Sequence, residues 1–304
     1  MSGVDSAVGA VSIGDLRRHG IALLALTKPR IVELLLVTTL PAMFLAERGV
    51  PPLALIVSTL VGGALTAGGA NALNMVYDRD IDALMSRTER RPIVTGDVTP
   101  AAALVFALAL EAGGSALLYE QAGPLAAALA LSAAVFYVVV YTVVLTRRTR
   151  HNIVIGGAAG AAPVLVAWAA VTGHLGLSPW LLFALIFLWT PPHFWALAIR
   201  FKDDYGRAGV PMLPVVADVR AVADQIVAYA VLLGGVSVAL APVARLGPGY
   251  LAVAAVSSAL FVRKAWGLRA DPTLARALRV FRFSILYLTV VFSAVAVFAL
   301  VGRL

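Results

Sequence analysis

The 304-residue chain contains no cysteine, which excludes a disulfide framework, a thiolate metal site and a cysteine nucleophile. Histidine is scarce too: His19, His151, His174 and His193 lie scattered, with no zinc-type spacing. No glycine-rich loop follows a strand pattern, so P-loop and dinucleotide chemistry fall away. Charge is depleted most of all. Only 13% of residues are charged and 61% are hydrophobic, where a soluble domain carries about 25% charged and about 45–50% apolar residues. The charge that remains is unbalanced, 24 Lys and Arg against 16 Asp and Glu, a formal net of +8. In a soluble protein that excess would point to nucleic acid. In so apolar a chain, basic residues gather in cytoplasmic loops for topological reasons, and no nucleic-acid partner is expected.

The apolar residues arrive as long uncharged runs. Gly49 to Tyr77 holds no charge in 29 residues and Leu175 to Ile199 none in 25, each longer than the roughly 20 residues that cross a bilayer as a helix. Punctuation by charge, Pro and Gly predicts nine spans, near 31–46, 53–77, 100–119, 124–145, 153–172, 179–199, 224–243, 247–262 and 283–301. The start of the first is open as far upstream as Ile21. The expectation is an all-α, polytopic bundle of about nine transmembrane helices: residues 1–27 form a cytoplasmic arm and 28–304 a single membrane domain. With these spans, every Lys and Arg except Arg48, Arg245 and Arg303 falls on one side. The positive-inside rule makes that side cytoplasmic, with the N-terminus inside and the C-terminus outside.

The acids crowd the same side. Asp78, Asp80, Asp82, Glu89 and Asp97 follow the second span, and Asp203, Asp204 and Asp218 follow the sixth. Two spans four apart cross in the same direction, so the acidic loops 78–98 and 200–222 occupy equivalent places in a faint parallel repeat of four helices plus four. The first loop opens with Asn74-Met-Val-Tyr-Asp78-Arg-Asp-Ile-Asp82. Steps of four drift about 40° on a helix, so Asn74, Asp78 and Asp82 share a face over about 12 Å, and Asp80 points elsewhere as a salt-bridge partner. Such a line of oxygens is too long to cage one ion. It suits Mg²⁺, which binds through one or two carboxylates and completes its shell with water and substrate phosphate. The bland alternative is a solvated helix end. Against it stand Asn74, a polar side chain inside an apolar run, and Arg87, Arg90 and Arg91, cations where a metal-bound polyphosphate needs them.

At these residues the chain resembles the UbiA superfamily of intramembrane prenyltransferases, and within it the branch that farnesylates haem. The stretches that carry the resemblance span nearly the whole sequence. They are Leu26-Thr-Lys-Pro-Arg-Ile-Val-Glu33, Asn74 to Asp82 with Arg91-Pro92, Asn152-Ile-Val-Ile-Gly-Gly-Ala158, Trp189-Thr-Pro-Pro-His-Phe-Trp195, Lys202-Asp-Asp-Tyr205 with Ala208-Gly-Val-Pro-Met-Leu-Pro214, and Phe281-Arg-Phe-Ser-Ile-Leu-Tyr287. The resemblance implies transfer of the farnesyl group of farnesyl diphosphate to a vinyl group of haem B, with water addition, giving haem O. It further implies Mg²⁺ as cofactor, held by Asn74, Asp78 and Asp82 and, at a second acidic motif, by Asp203 and Asp204. Lys28, Arg87, Arg90, Arg91, Lys202 and Arg207 are the diphosphate contacts it implies, and His193 is the candidate haem contact. One departure concerns the end of the fourth span. The family carries Lys-Arg soon after a Tyr, whereas here Tyr141 is followed by Thr146-Arg147-Arg148, leaving Arg147 as the shifted cation.

Two intramembrane acids remain, Glu111 without a chemical role and Glu33 as a cavity candidate. Rival readings are a prenyltransferase for another acceptor such as a quinone precursor, a secondary transporter, and an assembly scaffold for a terminal oxidase. A transporter would place polar residues at the midplane of inverted repeats, unlike this one-sided, parallel arrangement. Haem A synthase or a terminal oxidase in assembly are the expected protein partners, with the lipid bilayer as surroundings.

Overall fold

The structure, a computed structural model, describes residues 13–302, with the side chains of Ile13, Asp15, Leu16 and residues 30–36 left aside. Arg303 and residues 1–12 of the expected arm therefore lie outside the described residues, as do the side chains of Arg30 and Glu33. The described part of the arm holds a helix, α1 (Ile13–Leu26), whose last residue is fully buried. The chain breaks at Lys28, left-handed at φ 52°, and Pro29 starts α2 (Pro29–Glu47). The first span thus begins at this break rather than near Ile21. Proline suits the first helical turn, where its missing N–H has no partner to lose.

In chain order there follow α3 (Leu53–Tyr77), the short α4 (Arg79–Asp82) and α5 (Pro92–Thr95), α6 (Pro100–Ala122), and α7 (Pro124–Val135), which runs into a π-helix (Phe136–Leu145). Then come α8 (Asn152–Thr172), α9 (Leu177–Ala198), the short α10 (Lys202–Arg207) and α11 (Leu213–Val216), α12 (Val219–Val243), α13 (Gly247–Ala270) and α14 (Leu274–Val301). Among the described residues, eight helices are long and apolar enough to cross a membrane, with α7 and the π-helix counted as one. The 19-residue α2 stands before them in the place of the first expected span.

Local chemistry sets the ends. Thr99 and Asp218 cap α6 and α12 by accepting from Ala102 N (3.2 Å) and Ala221 N (2.7 Å), as short oxygen-bearing side chains do at helix starts. Gly123, at φ 93°, makes the one-residue turn between α6 and Pro124, a backbone state that other residues rarely adopt. The last two spans are longer than their apolar runs. Helix α13 continues to Ala270 and α14 starts at Leu274 because Ala265, Leu268, Ala277 and Val280 are fully buried in one shared core. Packing, not membrane thickness, sets their length.

The helices α3 and α6 touch at their backbones. A Cβ on Gly69 would lie 2.8 Å from Ala107 O, and one on Gly114 would lie 2.9 Å from Gly62 O. In a membrane, where burial in lipid gives helices little reason to associate, such close approach supplies van der Waals contact. The two short-helix loops, 78–99 and 199–218, meet at one end of the bundle. There Ile81 and Met85 share a core with Tyr205, Val210 and Met212, and Ser86 Oγ donates to Asp204 Oδ2 at 2.6 Å.

Gly69→Ala should lower the thermal midpoint in detergent, since a backbone carbonyl cannot step aside and overpacking costs about 1–3 kcal/mol. Gly113→Ala, which meets nothing within 4 Å, should leave the midpoint unchanged or raise it. Equal shifts for the two would overturn the close-packed reading of α3 and α6.

Candidate active site

Beneath the joined loops lies a cavity of about 440 Å³. Its mouth carries Lys28, Asn74, Asp78, Asp82, Arg87, Arg91, Tyr141 and Tyr205. From there it runs down a stripe on α3, Asn74, Asn71, Ala70, Ala67, Thr66, Gly63 and Thr59, and a facing stripe on α8, Asn152, Ile153, Gly156, Gly157, Gly160, Pro163 and Val166. Each stripe follows helical spacing over about 22 Å at 1.5 Å per residue. Charge is confined to one end, and the rest is apolar apart from a few hydroxyls and amides.

The amide of Asn74, buried at 5% exposure, organises the mouth. Its Nδ2 donates to Asp78 Oδ2 (2.7 Å) and to Thr142 Oγ1 (3.0 Å), and its Oδ1 accepts from Lys28 Nζ (2.7 Å). Both Nδ2 protons of Asn74 are thus committed to protein groups, and Oδ1 keeps a second lone pair beside the one that Lys28 uses. Asp82 is buried and pairs with Arg91. The helix is interrupted at the first of the two aspartates: α3 stops at Tyr77, Asp78 sits at φ −87°, ψ 8°, and α4 restarts at Arg79. Asp78 and Asp82 nevertheless both line the cavity, and Asp80 is turned out to Arg147, whose Nη1 and Nη2 reach its carboxylate at 2.7 and 2.6 Å.

Electrostatics at the mouth are tense. Burial, with the neighbouring Asp82 carboxylate second, pushes the Asp78 carboxyl up to about 6. Burial, with Arg91 second, pushes the Lys28 ammonium down to about 7. The bond from Arg147 holds Asp80 below the ordinary carboxylate range. Two buried carboxylates lining one cavity make a donor set suited to a divalent cation. Among the described residues no three His, Asp or Glu side chains converge, so a cation here must complete its shell with water and substrate oxygens, as Mg²⁺ does.

The other expected site residues divide. Arg87 lines the cavity with its guanidinium 4.9 Å from the Tyr205 ring centroid. Arg147 lies outside it, in a shallow groove with Tyr77 and Asp80. Arg90, Lys202 and Asp203 are exposed and do not line it. Asp204 is buried and engaged by Ser86 and Arg207, and the Ser86 hydroxyl holds its carboxyl below the usual range. His193 lines the cavity about 8 Å in from the end of α9, stacked on Trp189 with ring centroids 4.2 Å apart. Glu111 lies between α3 and α6 against Gly69, its carboxylate oxygens without a hydrogen-bond partner, and does not itself line the cavity.

Several lining residues escaped the sequence reading. Asn71 donates to Thr27 O at 3.0 Å, and like Asn74 it is a polar side chain inside an apolar run, a signal that was present. Tyr137 and Tyr141 stack with centroids 5.3 Å apart; Tyr141 served in the sequence only as the landmark for the cation after it, and nothing in the apolar context marks either ring as lining a cavity. They face the cavity because the π-helix widens the turn, with Thr142 and Thr146 hydroxyls donating to Tyr137 O and Tyr141 O, each at 2.9 Å. Gly156 leaves room for them: its Cβ would fall 2.2 Å from the Tyr141 ring.

A family model, the UbiA prenyltransferase family, matches residues 35–300. The chain belongs to the UbiA prenyltransferase family. It is 51% identical over 282 residues to "Protoheme IX farnesyltransferase" of Streptomyces coelicolor, covering 91% of this chain and 90% of that one. It is 52% identical over 283 residues to the protein of that name from Frankia casuarinae, covering 91% and 97%. The UbiA fold is evident in solved structures as well. A digeranylgeranylglyceryl phosphate synthase superposes with a TM-score of 0.77 at 18% identity, covering 95% of this chain and 99% of that one. A UbiA homologue from Archaeoglobus fulgidus, bound to GPP and Mg²⁺, superposes at 0.63 with 17% identity, covering 90% and 99%.

A cation bound at Asp78 would require its ionised carboxylate. Below about pH 6 the protonated carboxyl predominates in the metal-free fold, so the rise in thermal midpoint on adding Mg²⁺ with inorganic diphosphate should be small at pH 5 and complete by pH 7.5. A shift independent of pH across that range would show that Asp78 does not titrate on binding.

Proposed function

We infer that this member of the UbiA prenyltransferase family transfers the farnesyl group of farnesyl diphosphate to a vinyl group of haem B, with water addition, releasing diphosphate and giving haem O. The observation that carries it is the shape of the cavity. A charged mouth opens into an apolar channel about 22 Å deep, long enough to take a C15 chain while its diphosphate stays at the rim. The acceptor assignment is supported by the names of relatives at about half identity over nearly their whole length and by the imidazole of His193 in the channel wall.

The chemical demand is ionisation of an allylic C–O bond, which requires positive charge where the departing diphosphate becomes more negative. Arg91, Arg87 and Lys28 line the mouth from α5's start, the 78–99 loop and the α1–α2 break, and supply it from three directions. Mg²⁺ held by Asp78 and Asp82 would add its charge to the same oxygens. Asn74 keeps Asp78 and Lys28 in register. The stacked Tyr137 and Tyr141 rings exclude water from the channel below and present π faces that favour an allylic cation. His193 then contacts the porphyrin acceptor. Arg147, bound to Asp80, braces the loop instead of contacting the diphosphate, and Asp204 with Arg207 serves to hold Ser86 and the second loop against the first.

The orientation follows the charge. The joined loops face the cytoplasm and the Arg48 and Arg245 turns face outward in the bacterial cell membrane. Because the chain has no cysteine, single cysteines report topology without background. Those placed near Arg90, Arg148 and Arg207 should react only from the cytoplasmic side, and those near Arg48 and Arg245 only from outside; mixed labelling within 78–98 would overturn the orientation.

The activity is tested with purified protein, haem B, farnesyl diphosphate and Mg²⁺, with haem O read from extracted pigment. Product should form, and chelator should suppress it. Asp78→Asn and Asp82→Asn should each lose at least about 100-fold in turnover, the scale of removing one electrostatic contributor worth about 3–4 kcal/mol. Asp80→Asn should lose far less. No haem O under any condition, or equal damage at all three positions, would defeat the reading.

A further inference from the structure

The wall that carries His193 also carries a hydrogen-bonded chain for which the reaction as described has no use. His193 Nδ1 lies 2.7 Å from Ser284 Oγ on α14, and Ser284 Oγ donates to Phe281 O at 2.6 Å. A hydroxyl has one proton. With that proton directed at the Phe281 carbonyl, Ser284 Oγ faces the imidazole only as an acceptor. Nδ1 therefore bears the ring proton and Nε2 the lone pair. Nε2 makes no hydrogen bond and is not among the polar atoms sealed off without a partner among the described residues. Since His193 lines the cavity, its lone pair opens onto that space.

The ring is also held against rotation. It stacks on Trp189 (4.2 Å, 20°), packs on Phe281 (4.8 Å, 34°) and meets Phe194 edge-on (5.3 Å, 86°). Trp189 donates its Nε1 proton to Ser284 O at 2.7 Å. Ser284, with no exposed surface, thus fixes two cavity side chains of α9 at once, one through its backbone and one through its hydroxyl.

We propose that Ser284 is a positioning residue for the acceptor: its hydroxyl sets the His193 tautomer so that Nε2 is presented as an axial ligand to the iron of bound haem. The proposal rests on the haem reading above. An imidazole whose Nδ1–H is accepted by a fixed oxygen is both oriented and more basic at the other nitrogen. Anchoring the iron at Nε2 also limits which edge of the porphyrin, and so which vinyl, meets the farnesyl chain.

The test uses the full chain in detergent with haem B, read by the Soret band, by the iron–imidazole stretching band of the ferrous form, and by haem affinity. Wild type should show imidazole ligation, and His193→Ala should lose it and regain it with added imidazole. Ser284→Ala keeps the backbone carbonyl for Trp189 but removes the Nδ1 acceptor. It should weaken haem affinity about tenfold, the lower end for loss of an outer partner of a metal ligand, and shift the stretching band to lower frequency. Mg²⁺-dependent farnesyl diphosphate binding should be unchanged, which also verifies folding. Ser284→Thr, which retains a hydroxyl, should restore the band.

An unshifted band and unchanged affinity in Ser284→Ala would overturn the positioning role while leaving the haem reading intact. Retained imidazole ligation in His193→Ala would overturn the ligand assignment. Absence of both haem binding and haem O formation would instead remove the haem reading on which the proposal stands.

Discussion

The structure depends on keeping a carboxylate pair buried at the membrane edge. Asp78 and Asp82 are nearly without exposed surface, and a buried carboxylate persists only where cations and hydrogen bonds offset its lost hydration. Arg91 answers Asp82, and Asn74 ties Asp78 to Lys28 through one amide. This arrangement accounts for the left-handed residue at Lys28 in the turn between α1 and α2: the turn delivers an ammonium to Asn74 on α3. It also explains why the bond is to Asn rather than to a second acid, since the amide donates to one charge while accepting from the other.

Around that centre the backbone itself is adapted. The π-helix gives Thr142 a place within reach of Asn74 and turns two tyrosines inward, and π segments recur where function needs a side chain off the α-helical register. The absent side chain of Gly156 is the complement of the Tyr141 ring. The two loops close the mouth through Ser86, Asp204 and Arg87 with Tyr205, so both halves of the chain contribute to one cavity, and α2 and α7 pack directly against α8 beneath it.

Much of this was legible before any coordinates. The spans could be read because a membrane demands about 20 apolar residues per crossing, and Asn74 stood out because an unpaired amide is costly there. The alternation of Asp78 and Asp82 inward with Asp80 outward followed from helical spacing, even though the helix itself is broken at Asp78. Other features were not legible. The apolar residues of 136–145 read the same in an α- or a π-register, because hydropathy carries no information on which carbonyl each amide meets. Arg147 was a substrate-contact candidate because the resemblance places a cation after Tyr141, and only the tertiary structure shows that it meets Asp80 and, at 3.4 Å, Asp78.

The sequence by itself determined that the chain is an all-α membrane bundle with most of its acids and cations gathered in a few loops, because membrane thickness and loop charge act on composition and spacing alone. Tertiary structure decided which of those cations face the cavity, that Asp203 and Arg90 stay outside it, and that a serine 91 residues beyond His193 meets its ring nitrogen at 2.7 Å. Pairings of this kind depend on distances between segments far apart in the chain. Those distances are fixed by how the helices pack, through small residues such as Gly69 and Gly114 whose importance lies in what touches them.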